Sequence, residues 1–194
     1  MENFKDKNVV ITGASRGIGL GIAKKLASSG ANIAVLAKTD LPHPKLPGTI
    51  HTAVEEIKEL GVKSLAVKTD IRFDDQVESA VDKVVNEFGS IDILINNASA
   101  IGLFNSESLP MKQFDLMHDI NLRGTYLCSK VCLPFLKKSS NPHILNMSPP
   151  ISLNAKWFEN FTAYTMAKYG MSMCVIGMSE EYKKYNIAVN GLWP

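Results

Sequence analysis

Two side chains late in the sequence have the spacing and the chemistry of a proton-transfer pair. Tyr164 and Lys168 are four residues apart, so on a helix they share one face. A free phenol titrates near pH ~10, and acid–base work at neutral pH needs that pKa lowered. A neighbouring ammonium lowers it by favouring the phenolate. The pair therefore predicts acid–base chemistry at Tyr164, and the alternative is a surface tyrosine beside a solvated lysine.

A glycine-rich segment early in the chain has the spacing of a phosphate-binding loop. It runs Thr12-Gly13-Ala14-Ser15-Arg16-Gly17-Ile18-Gly19, after an apolar stretch and before an amphipathic one. Glycines at this spacing let the backbone approach a pyrophosphate, and the following helix offers N–H groups and a favourable dipole. This position between a predicted strand and a predicted helix favours dinucleotide binding over a purely structural turn.

The residues after the second predicted strand bear on which dinucleotide binds. An acidic residue there would bind the adenosine ribose hydroxyls and select NAD. This chain has Leu36-Ala37-Lys38-Thr39, with no carboxylate before Asp40. Two cations, Arg16 and Lys38, can each give a 2′-phosphate charge-assisted hydrogen bonds of about 1.5–3 kcal/mol. The sequence therefore predicts NADP(H), and the alternative is that both cations are merely solvated.

The hydropathy pattern predicts the scaffold that positions these motifs. Short apolar stretches alternate with longer helical patterns, which is typical of βα units and a parallel sheet. We expect an α/β fold, a Rossmann-type doubly wound parallel sheet, in one domain over residues 1–194. The predicted strands are 8–12, 32–37, 64–68, 91–95, 143–147 and 188–192. The predicted helices are 17–29, 49–60, 74–88, 111–138 and 162–185.

Glycines and prolines mark expected irregularities. Gly124 and Pro134 should bend or perturb the helix at 111–138. Three prolines make 38–48 an extended loop, which is long for a βα unit. Methionines at 166, 171, 173 and 178 are expected to be packing residues.

Composition narrows the possible partners. The chain has 194 residues, of which 45% are hydrophobic and 21% charged, as in ordinary globular proteins. A net charge of +2 argues against nucleic acid, and no apolar run reaches the ~20 residues of a membrane span. Three sparse cysteines and four unclustered histidines predict no disulfide scaffold and no metal site. Cys128 and Cys132 are expected to pack, and the cytoplasm is the default compartment.

These motifs together resemble the short-chain dehydrogenase/reductase family over the whole chain. Its Asn-Asn-Ala-Gly motif appears as Asn96-Asn97-Ala98-Ser99, with serine replacing the glycine, and its Tyr-x-x-x-Lys signature is Tyr164 to Lys168. The resemblance implies an oxidoreductase that transfers a hydride between a nicotinamide and a carbonyl or secondary alcohol. It implies cofactor binding by Gly13, Ser15, Arg16, Gly17, Ile18, Gly19, Lys38, Asp70, Asn97 and Lys168.

The resemblance also implies catalytic roles. Tyr164 would donate the proton, Lys168 would lower its pKa and hold the nicotinamide ribose, and Asn121 would hold a water linked to Lys168. The family places a substrate-polarising serine second in a Ser-Ser pair, where this chain has Ser148-Pro149. Ser148 is the first candidate for that donor and Ser152 the second, and either can equally be an ordinary loop serine.

Further segments, among them Asn146-Met147-Ser148-Pro149-Pro150, resemble one subgroup of orphan reductases linked to lipid metabolism. The subgroup implies a lipid-like substrate and a peroxisomal or mitochondrial location, and the family resemblance implies a homo-oligomer in which the helices at 111–138 and 162–185 pack across the interface. Family members continue past the sixth strand into a substrate-covering segment and a seventh strand, whereas this sequence ends at Pro194, so we expect a truncated domain. The alternative function is accordingly a cofactor-binding or interaction protein without turnover.

Overall fold

The computed structural model describes residues 4–44 and 47–194, which form one six-stranded sheet flanked by helices. Met1–Asn3 of the predicted domain, and residues 45 and 46 of the predicted 38–48 loop, lie outside the described residues. The strands are β1 (Asn8–Thr12), β2 (Asn32–Ala37), β3 (Ser64–Lys68), β4 (Ile93–Asn96), β5 (His143–Met147) and β6 (Ala188–Leu192). The α-helices are α1 (Gly17–Ala27), α2 (Ile50–Lys58), α3 (Asp74–Phe88), α4 (Met111–Met117), α5 (Thr125–Leu136) and α6 (Thr162–Tyr182).

The strand order places a crevice at the centre of the sheet. All pairings are parallel, in the order β3-β2-β1-β4-β5-β6. The order reverses between β1 and β4, and in such sheets ligands bind outside the carboxyl ends of the strands at that point. The glycine loop follows β1 and the Asn96–Ser99 motif follows β4, so both motifs meet at the crevice. The predicted doubly wound α/β fold is confirmed.

Two hydrophobic clusters cover the two faces of the sheet. Successive β1 side chains point to opposite faces, so Val9 packs with α1 and α2 whereas Val10 packs with α3, α5 and α6. The buried face of α6 supplies Met171 and Met178 to the core. The three cysteines are buried in the cluster that contains Val10. The packing role expected of Cys128 and Cys132 is confirmed.

Several predicted details are wrong. β4 starts at Ile93 rather than 91, because Ile91 is buried ahead of the strand pairing. The helix expected at 111–138 is three segments, α4, a π-helical segment His118–Gly124 and α5, so the perturbation predicted at Gly124 is confirmed, whereas Pro134 lies within α5 without ending it. At Gly124 an added Cβ would lie 2.6 Å from Cδ1 of Ile71, which explains a glycine where the backbone changes pitch.

Other expectations need smaller corrections. α1 and α2 end two residues earlier than predicted, at Ala27 and Lys58, and α6 passes into a 3₁₀ turn at Lys183–Tyr185. Met166 and Met173 lie on the exposed face of α6, so they are not core residues. No helix within 4–44 and 47–194 combines the length and apolar composition needed to cross a bilayer.

Candidate active site

The glycine loop forms a cradle that larger residues would fill. Gly13 and Gly17 have φ of +69° and +57°, a region that L side chains rarely adopt. A Cβ on Gly13 would lie 2.7 Å from Cα of Ala98, and one on Gly19 would collide with the amide of Asn97. The loop therefore keeps a backbone-lined space that only glycine leaves open.

Asn97 fixes this loop from β4. Its Nδ2 donates to the carbonyl oxygens of Thr12 at 2.9 Å and Gly13 at 3.1 Å. Its backbone N–H, and that of Ala98, donate to Oγ1 of Thr12 at 3.1 and 3.0 Å. The side chain of Asn97 thus shapes the cradle from below.

A cavity of about 390 Å³ extends from the cradle along the carboxyl ends of β1, β2 and β3. Its walls include most of the predicted cofactor residues, namely Gly13, Ser15, Arg16, Ile18, Gly19, Lys38, Asp70 and Asn97. Gly17 lies outside this lining, and Lys168 faces a second cavity.

The charged residues of this cavity are already partnered in part. Nε of Arg72 donates to Oδ1 of Asp70 at 2.9 Å and Nη2 to Oδ2 at 2.6 Å. This guanidinium holds the pKa of the Asp70 carboxyl below its ordinary value, so Asp70 stays ionised. Nη2 of Arg16 donates to the carbonyl oxygen of Gly48 at 3.0 Å, while Lys38 is exposed at the cavity mouth.

The second cavity, of about 430 Å³, contains the predicted proton-transfer pair. α6 presents Tyr164 and Lys168 to it on one face, as their spacing predicts. Ser148 and Ser152 also line it. The remaining walls are largely apolar and include Pro149, Pro150, Trp157 and Trp193.

Lys168 is held close to β5. Its Nζ donates to the carbonyl oxygen of Met147 at 2.5 Å and lies 3.2 Å from Sδ of Met171. Burial of this ammonium lowers the pKa of Lys168 to about 8.

The environment of Tyr164 differs from the expectation. Burial raises the pKa of its phenol, and the hydrogen-bonding side chain of Ser99 opposes that rise. The lowering expected from Lys168 is not found, because that ammonium is directed at Met147. From the sequence, Ser99 is expected only to shape the loop beneath the cofactor or to be a neutral replacement of the family's glycine, and its contact with Tyr164 is not predicted.

Asn121 is fully buried in the π-helical segment. Its Nδ2 donates to the carbonyl oxygen of Ala100 at 2.9 Å, and its Oδ1 accepts from the Ala100 N–H at 2.8 Å. The side chain therefore ties this segment to the loop after β4. A water-holding role would have to use its remaining hydrogen-bonding capacity.

The two serine candidates are placed differently. Ser148 is buried, its N–H donates to the carbonyl oxygen of Leu192 at 3.0 Å, and its Oγ is 2.9 Å from where a Cβ on Gly191 would lie. Oγ of Ser152 accepts a 3.4 Å hydrogen bond from the Asn154 N–H. Both line the cavity, so the geometry leaves both as candidates.

The β5–α6 loop forms the apolar wall and is anchored to α6. Oη of Tyr169 donates to the carbonyl oxygen of Ser152 at 2.9 Å and accepts from its N–H at 3.3 Å. Oγ1 of Thr165 donates to the carbonyl oxygen of Trp157 at 2.6 Å, and the rings of Trp157 and Trp193 meet edge to face at 6.5 Å. Sequence reasoning missed these anchors because their partners lie in an irregular loop.

Comparison with known proteins decides the family. Residues 7–194 match the family model for short chain dehydrogenases. The chain belongs to the short-chain dehydrogenase family. It is 61% identical over 186 residues to hydroxysteroid dehydrogenase-like protein 2 of Danio rerio, covering 96% of this chain and 45% of that protein. The family and subgroup resemblances are confirmed, and the chain spans less than half the length of that curated relative.

Solved structures agree with this membership. A short chain dehydrogenase from Mycobacterium thermoresistibile is 53% identical, with a TM-score of 0.96 over 99% of this chain and 68% of that one. A 7α-hydroxysteroid dehydrogenase, complexed with NADH and 7-oxo glycochenodeoxycholic acid, is 28% identical, with a TM-score of 0.86 over 99% of this chain and 71% of that one. Both proteins thus share the fold of this chain over almost its whole length.

Proposed function

We propose that this chain carries the site of an NADP(H)-dependent oxidoreductase acting on a carbonyl or secondary alcohol of a lipid-like, steroid or fatty-acyl, substrate. The observation that carries the proposal is the junction of the two cavities. Ile18, Asn97 and Ser99 line both, so a ligand on the glycine cradle reaches the side of Tyr164 and Lys168. A titratable pair beside a dinucleotide cradle supports proton transfer coupled to redox chemistry.

The cradle fits a nicotinamide dinucleotide. Glycine-only backbone at Gly13 and Gly19 and the N-terminus of α1 suit a pyrophosphate. Arg16 and Lys38 are positioned for a 2′-phosphate, and Asp70 for the adenosine end. When bound, the nicotinamide supplies or accepts the hydride. The 7α-hydroxysteroid dehydrogenase is described with NADH, so our choice of NADP(H) rests on Arg16 and Lys38 alone.

Side chains of this protein would donate the proton and replace it. During reduction, Oη of Tyr164 donates its proton to the carbonyl oxygen, and a hydroxyl of Ser148 or Ser152 donates a hydrogen bond to the same oxygen. Lys168 would bind the nicotinamide ribose, and Asn121 would hold the water chain that reprotonates the site. Because burial raises the phenol's pKa, Tyr164 starts in its protonated, donating form.

The substrate class follows from the cavity walls. Trp157 and Trp193 offer flat apolar surfaces, and Pro149 and Pro150 extend them. Such walls suit a substrate with a rigid or extended apolar body. The steroid ligand of the 7α-hydroxysteroid dehydrogenase belongs to that class.

A second candidate is a cofactor-binding protein without turnover. One observation favours it: proline occupies the position of the family's second serine. This candidate shares the dinucleotide cradle and differs only in the chemistry at Tyr164.

One experiment separates the candidates. The chain is titrated with NADPH and NADH, and NADPH consumption is then followed with a panel of steroid and fatty-acyl carbonyls. We expect tighter NADPH binding, lost in the Arg16→Ala, Lys38→Ala double variant, and turnover lost in Tyr164→Phe. Binding without consumption of NADPH favours the second candidate, and unchanged NADPH affinity in the double variant refutes the cofactor assignment.

A further inference from the structure

A third cavity, of about 420 Å³, adjoins the dinucleotide cavity and contains a charge cluster that the proposed function leaves unexplained. The two cavities share Arg16, Lys38 and Thr39. Asp40 and Lys68 also line the third cavity. A carboxylate therefore stands three residues beyond β2, among three cations, beside the space proposed for the adenosine ribose.

Both oxygens of the Asp40 carboxylate have partners on other elements. Nε2 of His51 lies 2.7 Å from Oδ1, and Nζ of Lys68 lies 3.1 Å from Oδ2. His51 is on α2 and Lys68 ends β3, so two separate elements hold one carboxylate. These contacts, that of His51 first, hold the pKa of Asp40 below its ordinary value.

The backbone around Asp40 is fixed relative to the glycine loop. Arg16 donates to the carbonyl oxygen of Gly48 at 3.0 Å, and the Ile50 N–H donates to the carbonyl oxygen of Thr39 at 2.9 Å. Gly48 has φ of +80°, and a Cβ there would lie 2.7 Å from the carbonyl oxygen of Ser15. Arg16 thus ties the end of this loop to the cradle, and the Thr39–Ile50 hydrogen bond joins the residue before Asp40 to the start of α2.

We infer that Lys68 and His51 are specificity-determining residues, which bind Asp40 and so keep its carboxylate from selecting against a 2′-phosphate. The inference rests on the proposed NADP(H) preference and extends it to residues on α2 and β3.

The physical reason is charge. A free carboxylate beside the ribose would accept its hydroxyls and repel a phosphate dianion, which is how acidic residues select NAD. Lys68 balances the charge of Asp40, which leaves the charges of Arg16 and Lys38 uncompensated beside the ribose space. Exposed ion pairs contribute little to folding stability, so Lys68 and Asp40 can be changed with the fold intact.

The test uses the adenosine half of each cofactor as probe. Adenosine 2′,5′-bisphosphate and AMP are titrated calorimetrically into the native chain and into Lys68→Met, His51→Ala, Asp40→Asn and the doubles Asp40→Asn, Lys68→Met and Asp40→Asn, His51→Ala. We expect Lys68→Met to lower the affinity for the bisphosphate by about tenfold and the affinity for AMP by less than about twofold. His51→Ala should act in the same direction.

The double variants decide whether the two residues act through Asp40. If they do, Lys68→Met and His51→Ala each lower the affinity for the bisphosphate much less in the Asp40→Asn background than in the native one. Equal losses in both backgrounds overturn the inference, since Lys68 would then act on the phosphate independently. Lys58→Met is the matched control, because Lys58 pairs with Glu55 on α2 and lines neither cavity.

The native chain tells failure of the inference from failure of the proposed function. If it does not prefer the bisphosphate over AMP, the NADP(H) proposal fails and the inference with it. If it does, and Lys68→Met and His51→Ala keep the full preference, the inference alone fails.

Discussion

At the scale of single residues, the site depends on two positions that are tightly constrained by their surroundings. The ammonium of Lys168 is partly buried and donates a hydrogen bond to the carbonyl oxygen of Met147. Gly19 occupies a point where even one methyl group meets Asn97 and the carbonyl oxygen of Gly13. A substitution at each of these two residues therefore has a predictable effect.

Replacing Gly19 with alanine should abolish dinucleotide binding. The added Cβ would lie 2.8 Å from the Gly13 carbonyl oxygen and collide with the Asn97 amide, so the cradle must open. Gly21→Ala on the same helix is the control, because nothing lies within 4 Å of its Cβ position. Calorimetric titration with NADPH measures both, and wild-type affinity in Gly19→Ala would contradict the cradle.

Lys168 should make stability depend on pH in a defined window. Its pKa falls from 10.5 to about 8 on folding, so between those values the unfolded chain binds more protons. Stability contributed by this residue therefore rises with pH from about 8 to about 10.5, as the cost of burying the ammonium is relieved.

The measurement is the melting temperature of the native chain minus that of Lys168→Met, from pH 7 to 10.5. We expect this difference to increase with pH, since the other titrating groups are common to both chains. A flat difference would show that Lys168 titrates at its ordinary pKa in the folded chain, and a falling difference would show a raised pKa; either contradicts the prediction.

At the scale of elements, α6 both presents the proton-transfer pair and holds the loop opposite it. Tyr164 and Lys168 face the cavity, while Tyr169 and Thr165 bind the β5–α6 loop that carries Trp157. The helix and the substrate wall therefore form one unit. A change in the anchors should alter substrate binding more than cofactor binding.

Tyr169→Phe should loosen that wall. It removes hydrogen bonds to both backbone groups of Ser152, at a cost of about 1–3 kcal/mol. We expect faster limited proteolysis within 148–161 and a raised KM for carbonyl substrates, with NADPH affinity unchanged. Tyr126→Phe is the control, because Tyr126 is exposed on α5. Equal proteolysis of the two variants would remove Tyr169 as an anchor.

At the scale of the whole molecule, α5 and α6 leave apolar side chains in solvent. Tyr126, Met166, Met173 and Ile176 are 47–62% exposed on these helices. Exposed apolar groups of this kind favour association between copies. They support the proposed homo-oligomer, in which the helices would pack against a second chain.

Charges on that surface should disrupt the assembly. Met173→Glu with Ile176→Glu is expected to convert an oligomer to a monomer, measured by light scattering, because burying two unpaired carboxylates is unfavourable. Leu153→Glu, a change at an exposed loop position, is the control. A monomeric native chain would refute the proposed oligomer.

The sequence alone determined the order of elements and the motifs they carry. Five of the six strands have the predicted bounds, because buried parallel strands are short apolar runs between turn residues. The glycine loop and the Tyr164–Lys168 pair could also be predicted from the sequence, because each motif is local and its spacing indicates its geometry.

Only the tertiary structure decided how distant residues meet. It pairs Asp40 with Lys68, Asn121 with Ala100 and Lys168 with Met147, over separations of 28, 21 and 21 residues. It also brings Gly124, where the sequence predicts a perturbed helix, against Ile71. Local periodicity carries no information about such partners, because hydrogen bonds and charges act across space once the sheet has brought the strand ends together.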